Sequence, residues 1–335
     1  MTLAIVLLAA GYGTRMKSKK QKILHEVGGK PMMLHVFEAV EQVADVPPVL
    51  VVGPGADEVR RLIGDRAVYV EQPEQLGTGH ATRMAMPVLA GGAEQVLVTY
   101  GDMPLLRAET MRRLAQVQAE TEAALSLLSV PGETSSTFGR VVRDEAGAVV
   151  EVVEVAEARK RPAPDHYLHI RELNAGVYCF DATWLWQNIG DLPLRQARSR
   201  QEYYLTDMIE LAVGQGLRVE AMVTEDADEC LGAGTRAELV FVERAFRRRA
   251  NNYWLERGVT LVDPDTIYID PDVVIGQDTI IWPNTYVQGR TTVGEDCILG
   301  PNAIIRNAQI GDGCWLEQVV IDGNCLGNGS VRRGT

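Results

Sequence analysis

No stretch of this 335-residue chain approaches the roughly eighteen consecutive apolar residues that a membrane-spanning helix needs. Met1 opens directly into a strand-like run, so no signal peptide is expected. Disulfide chemistry is equally thin. The five cysteines (179, 230, 297, 314 and 325) are odd in number and scattered, and no C-x-x-C pair occurs. They read as reduced thiols of a cytoplasmic protein, neither a disulfide framework nor a zinc site. Basic residues are in deficit, 33 Lys and Arg against 45 Asp and Glu, a net charge of −12. Nucleic acids and anionic membranes call for a basic surface, so both are excluded as broad partners. What is present is a hydrophobic fraction of 46%, enough for a sizeable core, on a length that suggests two domains.

The first part alternates between two periods. The runs at 3–9, 48–53, 67–72, 95–102 and 124–130 are short, apolar and of buried-strand length. Between them, Met33, Val36, Phe37, Val40 and Ala44 recur at helical spacing, as do Val59, Leu62 and Ile63. Such alternation predicts an α/β fold with a mostly parallel sheet covered by helices. The stretch 139–155 reads as a hairpin turning near Glu145 to Gly147. Residues 161–165 read as a loop, 173–180 as a strand and 203–213 as a helix. A long helix is predicted over 235–257, ending at Gly258. Its basic run, Arg244 to Arg249, reads as a solvated helix face rather than a nucleic-acid site.

Beyond that helix the pattern changes. Ile269, Ile275, Ile281, Val287, Val293, Leu299 and Ile305 stand six residues apart. Four residues after each of the first six comes Val273, Thr279, Thr285, Thr291, Cys297 or Ala303, all small or β-branched. This hexapeptide period predicts a parallel β-helix with three flat faces, the aliphatic residues inside and the small ones where the wall bends. The phase slips by one at Ile310 and the pattern then fades, leaving about three or four coils.

Chemistry first appears at 7–25, "LLAAGYGTRMKSKKQKILH". An apolar strand stops at Gly11, a second glycine follows, and five of the eight residues from Arg15 to Lys22 are basic. In an acidic chain, a basic loop behind a buried strand suits a small polyanion. Gly11 and Gly13 allow close approach of backbone amides to phosphate and permit positive φ. The spacing lacks the third glycine of a dinucleotide fingerprint, since position 16 is Met, and it lacks the G-K-[ST] ending of an ATPase loop.

The wider set of motifs carries a resemblance. "LLAAGYGTRM…KILHEVGGKPMMLHV", "EQPEQLGTGHA" (71–81), "TYGDMPL" (99–105), "FGRVV" (138–142), "ELNAGVY" (172–178) and "EYYLTD" (202–207) occur in order. Together with the hexapeptide repeats they resemble the bacterial N-acetylglucosamine-1-phosphate uridylyltransferases, over residues 3 to about 325. The resemblance implies a Rossmann-like nucleotidyltransferase domain over 1–232 and a linker helix over 233–258. A short left-handed β-helix would follow over 259–335. It implies transfer of UMP from UTP to N-acetylglucosamine 1-phosphate, giving UDP-N-acetylglucosamine and pyrophosphate with Mg2+ as cofactor. Relatives of this kind are homotrimers through the β-helix and carry a second, acetyl-transfer activity in its later coils. For this shorter chain that activity is expected to be absent, and a monomer or weak oligomer is expected.

Roles follow residue by residue from the same resemblance. Leu8, Ala9, Ala10 and Gly11 would contact the nucleotide through their backbone. Arg15 and Lys22 would hold the triphosphate and the sugar phosphate, offsetting repulsion between two anionic reactants. Lys17, Lys19 and Lys20 read as solvated loop charge. Gln72, Gly77 and Thr78 would read the uracil, an amide side chain offering both a donor and an acceptor. His80 reads as structural packing at a helix start, because an ionised phosphate nucleophile needs no general base. Tyr100, Gly101, Gly139, Glu154 and Asn174 would bind the sugar, and Asp102 the magnesium ion. One departure stands out. In "LGAGTR" (231–236), Gly234 occupies the place of an asparagine that supplies a second metal ligand in the family. Either the ion is held by Asp102, the phosphates and water alone, or Asp226, Asp228 or Thr235 substitutes. Two alternatives stay open: another sugar-1-phosphate nucleotidylyltransferase, and a UDP-sugar-binding relative with weak catalysis.

Overall fold

The structure is a computed structural model, described for residues 1–132, 138–197 and 200–334. The chain folds as two compact units. One comprises Met1–Leu24 and Met32–Thr235, the other His25–Pro31 and Arg236–Thr335.

The first unit is built on a sheet of nine strands among the described residues. In chain order they are β1 (Leu3–Ala9), β2 (Val49–Val52), β3 (Val68–Glu71), β4 (Gln95–Tyr100), β5 (Leu125–Pro131), β6 (Arg140–Arg143), β7 (Val149–Val153), β8 (Glu172–Asp181) and β9 (Val219–Val223). The main path runs β9-β5-β8-β4-β1-β2-β3. β8 is antiparallel to both its neighbours on this path, and the other adjacent pairs are parallel. The hairpin β6–β7 is antiparallel and joins β8 through Leu173 and Arg140. β1 shows why the interior runs are continuously apolar. Leu3, Ile5, Leu7 and Ala9 enter one hydrophobic cluster, while Ala4, Val6 and Leu8 enter another on the opposite face. A strand covered on both faces has no polar side.

Helices cover the two faces. α1 (Met32–Glu41) packs Met33, Val36, Phe37 and Val40 against the first face. α2 (Asp57–Ile63) adds Val59 and Ile63. α3 (Thr78–Met84) places Ala81 on the other face. α4 (Ala108–Thr121) packs Met111 and Leu114 on the first face. Strands β1 to β3 step outward along one edge, and the chain then returns to lay β4 on the other side of β1. That reversal opens a crevice at the carboxyl ends of β1 and β4, where open α/β sheets bind ligands.

Three local expectations change. Helix α5 (Asp207–Gly214) begins four residues later than 203, because Arg200–Tyr203 is a strand paired with Leu194–Ala197. A short helix, Pro164–Leu168, starts inside the expected loop, with proline in its first turn where no amide donor is needed. Ala44 lies beyond the end of α1.

The second unit combines α6 (Arg236–Leu255), the turn Glu26–Pro31 and a parallel β-helix. Its strands form three parallel ladders of five, four and four. Ile269, Ile275, Ile281, Val287, Val293, Leu299 and Ile305 are all buried inside, as are the six small residues. The corner threonines do more than fit. Thr279 Oγ1 donates to Gly294 O at 3.0 Å and accepts from Cys297 N at 3.1 Å, so the bend keeps its backbone groups paired. The coil does not stop where the period fades. Ile269 pairs with Val287, eighteen residues on, whereas Ile305 pairs with Ile321, sixteen on. Corners lose residues while ladders keep register, which breaks the hexad without breaking the fold. In the basic run of α6, Arg247 is not a free solvated charge: its guanidinium lies over the Tyr268 ring at 4.6 Å.

Candidate active site

The crevice at the ends of β1 and β4 is an open cavity of about 190 Å3. Leu8, Ala9, Ala10, Gly11, Lys22, Gln72, Gly77, Thr78, Tyr100 and Asp102 all line it. These expected residues come from four separate segments of sequence, each delivered by the end of a strand or the start of a helix.

β1 ends at Ala9 and hands its last carbonyls and the Ala10–Gly11 peptide to the cavity. The chain then turns through Gly13, at φ 67°. A Cβ there would stand 2.5 Å from Lys22 Cβ, so the turn closes only around glycine and thereby folds Lys22 back over the loop. Gly11 does not share that conformation. It is not at positive φ, and a Cβ on it would stand 3.8 Å from Lys22 Cε. Lys22 Nζ forms an ion pair with Asp102 Oδ2, which sits just past β4. The two side chains are 23% and 16% exposed, so the pair is shielded but open to a ligand from the cavity. Arg15 lies elsewhere. It stands exposed on the turn Thr14–Met16 and does not line the cavity. Lys17, Lys19 and Lys20 are also exposed.

The opposite wall is the "EQLGTGHA" loop. Gln72 is buried, and its Nε2 donates to Gly77 O at 3.1 Å and contacts His80 Nδ1 at 3.0 Å. One end of the amide expected to read a base is therefore committed to holding the loop, and His80 is its structural partner. Gly77 has a structural reason of its own. It adopts φ 93° as the residue before α3, and a Cβ would lie 2.6 Å from Tyr203 O. Thr78 Oγ1 accepts from Leu205 N at 3.0 Å, and Tyr203 N donates to Leu76 O at 2.8 Å. The "EYYLTD" segment is thus the buttress of this loop.

The remaining expected residues gather beside the cavity. Gly101 is buried behind it, its N donating to Leu8 O at 3.1 Å. Asn174, on β8, takes its backbone N–H to Gly139 O at 2.9 Å. Its Nδ2 donates to Tyr178 Oη at 2.7 Å and its Oδ1 accepts from Gly176 N at 3.1 Å. A Cβ on Gly139 would lie 3.4 Å from Glu154 Oε1, so Gly139 and Glu154 are neighbours. Tyr100 joins the two groups. A Cβ on Gly176 would come within 2.7 Å of its ring. Desolvation pushes the Tyr100 hydroxyl up in pKa, with Glu154 and Asp102 adding to this and a hydrogen bond to Thr78 opposing it. Burial also holds the Glu154 carboxyl above its ordinary range, reinforced by Glu157 and Asp207 and opposed by Arg140.

Two polar lining residues had no assigned role. Gln75 Nε2 donates to Ala10 O at 2.5 Å, and Glu202 faces the cavity from the buttress strand. Both lie within motifs recognisable in the sequence, but their partners lie far along the chain. The metal question is narrower. Asp102 is the carboxylate of the expected set in the cavity, and the 231–234 loop does lie against it. Ala233 N donates to Asp102 O at 3.3 Å, and a Cβ on Gly232 would stand 3.9 Å from Asp102 Cγ. Gly234 is buried there without a side chain. Asp226, a candidate replacement, is engaged elsewhere. Its Oδ2 accepts from Arg107 at 2.7 Å and its Oδ1 caps Asp228 N at 3.1 Å. Among the described residues no cluster of three or more His, Cys, Asp or Glu could hold an ion. The residues present therefore fit a cation held by one carboxylate and completed by ligand oxygens and water, as magnesium commonly is. No helix among the described residues is long and apolar enough to cross a membrane.

Comparisons with known proteins identify the family. Residues 5–175 match the MobA-like NTP transferase domain, and residues 272–307 match the bacterial transferase hexapeptide of six repeats. Among solved structures, a CMP:2-keto-3-deoxy-manno-octonic acid synthetase complexed with CTP superposes with a TM-score of 0.54 at 18% identity. It covers 74% of this chain and 100% of that one, a likeness of fold alone. Curated relatives are nearer. The bifunctional protein GlmU of Exiguobacterium sibiricum is 41% identical over 322 residues, 96% of this chain and 70% of that protein. That of Bacillus subtilis is 41% identical over 323 residues, 96% of this chain and 69% of that protein. That of Pelobacter propionicus is 42% identical over 315 residues, 93% of this chain and 67% of that protein. Identity of this degree, running through both the nucleotidyltransferase unit and the hexapeptide coils, makes the chain a nucleotidyltransferase belonging to the GlmU family.

Proposed function

We propose that this protein transfers UMP from UTP to N-acetylglucosamine 1-phosphate, releasing pyrophosphate and UDP-N-acetylglucosamine. The observation that carries the reading is the convergence, at the point where the sheet order reverses, of a backbone loop, the Lys22–Asp102 pair and the Gln72–Thr78 wall. The Glu154–Asn174 group adjoins them through Tyr100. Two anionic ligands and a sugar fit such a site in different parts.

In the proposed reaction a phosphate oxygen of the sugar phosphate attacks the α-phosphorus of UTP in line. The new P–O bond forms as the bond to pyrophosphate breaks, and no proton needs to be removed from the nucleophile. Lys22 holds phosphate charge between the reactants, and its stem, packed against Gly13, fixes its position. Arg15 stands exposed on the neighbouring turn, outside the cavity lining. Leu8 to Gly11 present backbone groups to the nucleotide. Gln72 and Thr78 flank the base, with Gly77 shaping the loop between them. Glu154 and Asn174 accept and donate to sugar hydroxyls and the acetamido group, with Gly101 and Gly139 keeping the wall free of side chains. Magnesium, bound by Asp102 together with phosphate oxygens and water, would neutralise charge that develops on the phosphates. Gly234 favours a second reading, a UDP-sugar-binding relative with low turnover. Product binding without magnesium-dependent pyrophosphate release would support it.

A substrate screen with product mass tests the proposal. UTP with N-acetylglucosamine 1-phosphate is expected to outperform dTTP and glucose 1-phosphate. Equal or better use of another pair would assign a different sugar nucleotide.

A further inference from the structure

We propose that Gln75 is a positioning residue that aims the Gly11 amide at the phosphates of the nucleotide. The inference rests on the nucleotidyltransfer reading above and adds a named residue to it.

The argument is one of peptide geometry. Gln75 Nε2 donates to Ala10 O at 2.5 Å, although the two residues are 65 apart in sequence. The Ala10–Gly11 peptide is planar and trans, so its C=O and N–H point in opposite directions. Holding the carbonyl therefore fixes the direction of the Gly11 N–H. Among the described residues that N–H has no acceptor within the protein, and Gly11 lies exposed in the cavity wall with Lys22 Cε over it. A strand end followed by glycine would otherwise leave this peptide free to flip, since glycine tolerates both orientations.

The rest of the wall is built around that contact. Gly53, at the end of β2, places its Cα beside the same carbonyl. A Cβ there would stand 2.9 Å from Ala10 O and 3.6 Å from Gln75 Nε2. The space that receives the carbonyl is thus left open by a glycine on one side and given a donor on the other. Gln75 itself is carried by the loop whose ends are pinned by the Gln72–Gly77 and Tyr203–Leu76 hydrogen bonds. The wall that faces the base also sets the direction of an amide that faces phosphate, so the two halves of nucleotide recognition share one side chain.

The test uses the full chain and two variants. Gln75→Leu keeps the bulk and removes the donor. Gln75→Glu replaces the donor by a carboxylate, which repels Ala10 O when ionised and donates to it when protonated. The Leu variant is expected to raise the KM for UTP about tenfold, the scale of one lost hydrogen bond with a carbonyl left unpaired. The KM for the sugar phosphate should change much less. The Glu variant is expected to show a similar defect at alkaline pH that shrinks, relative to wild type, as the pH falls toward the carboxyl range, while the Leu defect stays constant. In 15N-resolved spectra, the Gly11 amide shift produced by UTP should be reduced in both variants. A Leu variant with the wild-type KM for UTP, or a Glu defect independent of pH, would overturn the inference while leaving the uridylyltransfer reading intact. A wild-type protein that neither binds nor turns over UTP would overturn both.

Discussion

Replacing Asp102 by asparagine separates chemistry from stability at this site. The substitution keeps the shape of the side chain and one acceptor oxygen but removes the charge facing Lys22. Both partners are less than a quarter exposed, so the pair lies between a surface ion pair and a buried one. The expected loss of folding stability is about 1 kcal/mol, which for a chain of 335 residues lowers Tm by about 1–2 °C. The expected loss of turnover is much larger. Removing one electrostatic stabiliser of a transition state costs about 10²- to 10³-fold, or about 2.7–4 kcal/mol. Pyrophosphate release at limiting magnesium, measured beside thermal unfolding of the same preparation, compares the two. Wild-type turnover in a folded variant at limiting magnesium would refute the placement of the reacting phosphates against Asp102.

Two further outcomes follow from the site. Gly234→Asn should lower the magnesium concentration needed for half-maximal activity, because it restores an oxygen ligand on the loop that lies against Asp102. No shift in that concentration, with unfolding unchanged, would mean that another group already completes the coordination. Glu154→Gln should bring a pH-dependent gain in stability. Burial raises the folded-state pKa of Glu154 above its unfolded value, so ionisation opposes folding, fully so above the raised value. The variant should outlast wild type in urea at about pH 8, and its advantage should fade on acidification toward the ordinary carboxylate range, while its use of the sugar phosphate falls. An advantage that grows at low pH would contradict the burial argument.

The strands and the helix faces were legible because their periods are set by burial. β1 is apolar at every position since both its faces are covered, and Met33 to Val40 keep helical spacing since one face of α1 is. The hexapeptide coil was legible for the same reason until its corners shortened after Ile305, when register persisted without period. The strand pair Leu194–Ala197 and Arg200–Tyr203 was not legible, and a helix was expected to begin at 203 instead. Those strands are short and largely polar, and they pair mainly with each other. The site divides similarly. Lys22, Asp102 and the glycine loop were recognisable from residue type and order. The roles of Gln75 and Tyr178 were not, because each is defined by a hydrogen bond inside the folded wall, to Ala10 O and to Asn174 Nδ2. Arg15 shows the converse. Its type and spacing suit a phosphate contact, yet it stands outside the cavity lining.

The most direct test of the central claim is a single-turnover reaction of the purified chain with UTP, N-acetylglucosamine 1-phosphate and magnesium, followed by mass spectrometry. The account predicts equal amounts of pyrophosphate and UDP-N-acetylglucosamine, dependent on magnesium and lost with Lys22→Ala. Tight binding of UDP-N-acetylglucosamine with no pyrophosphate formed, or product formation undiminished without Lys22, would contradict it.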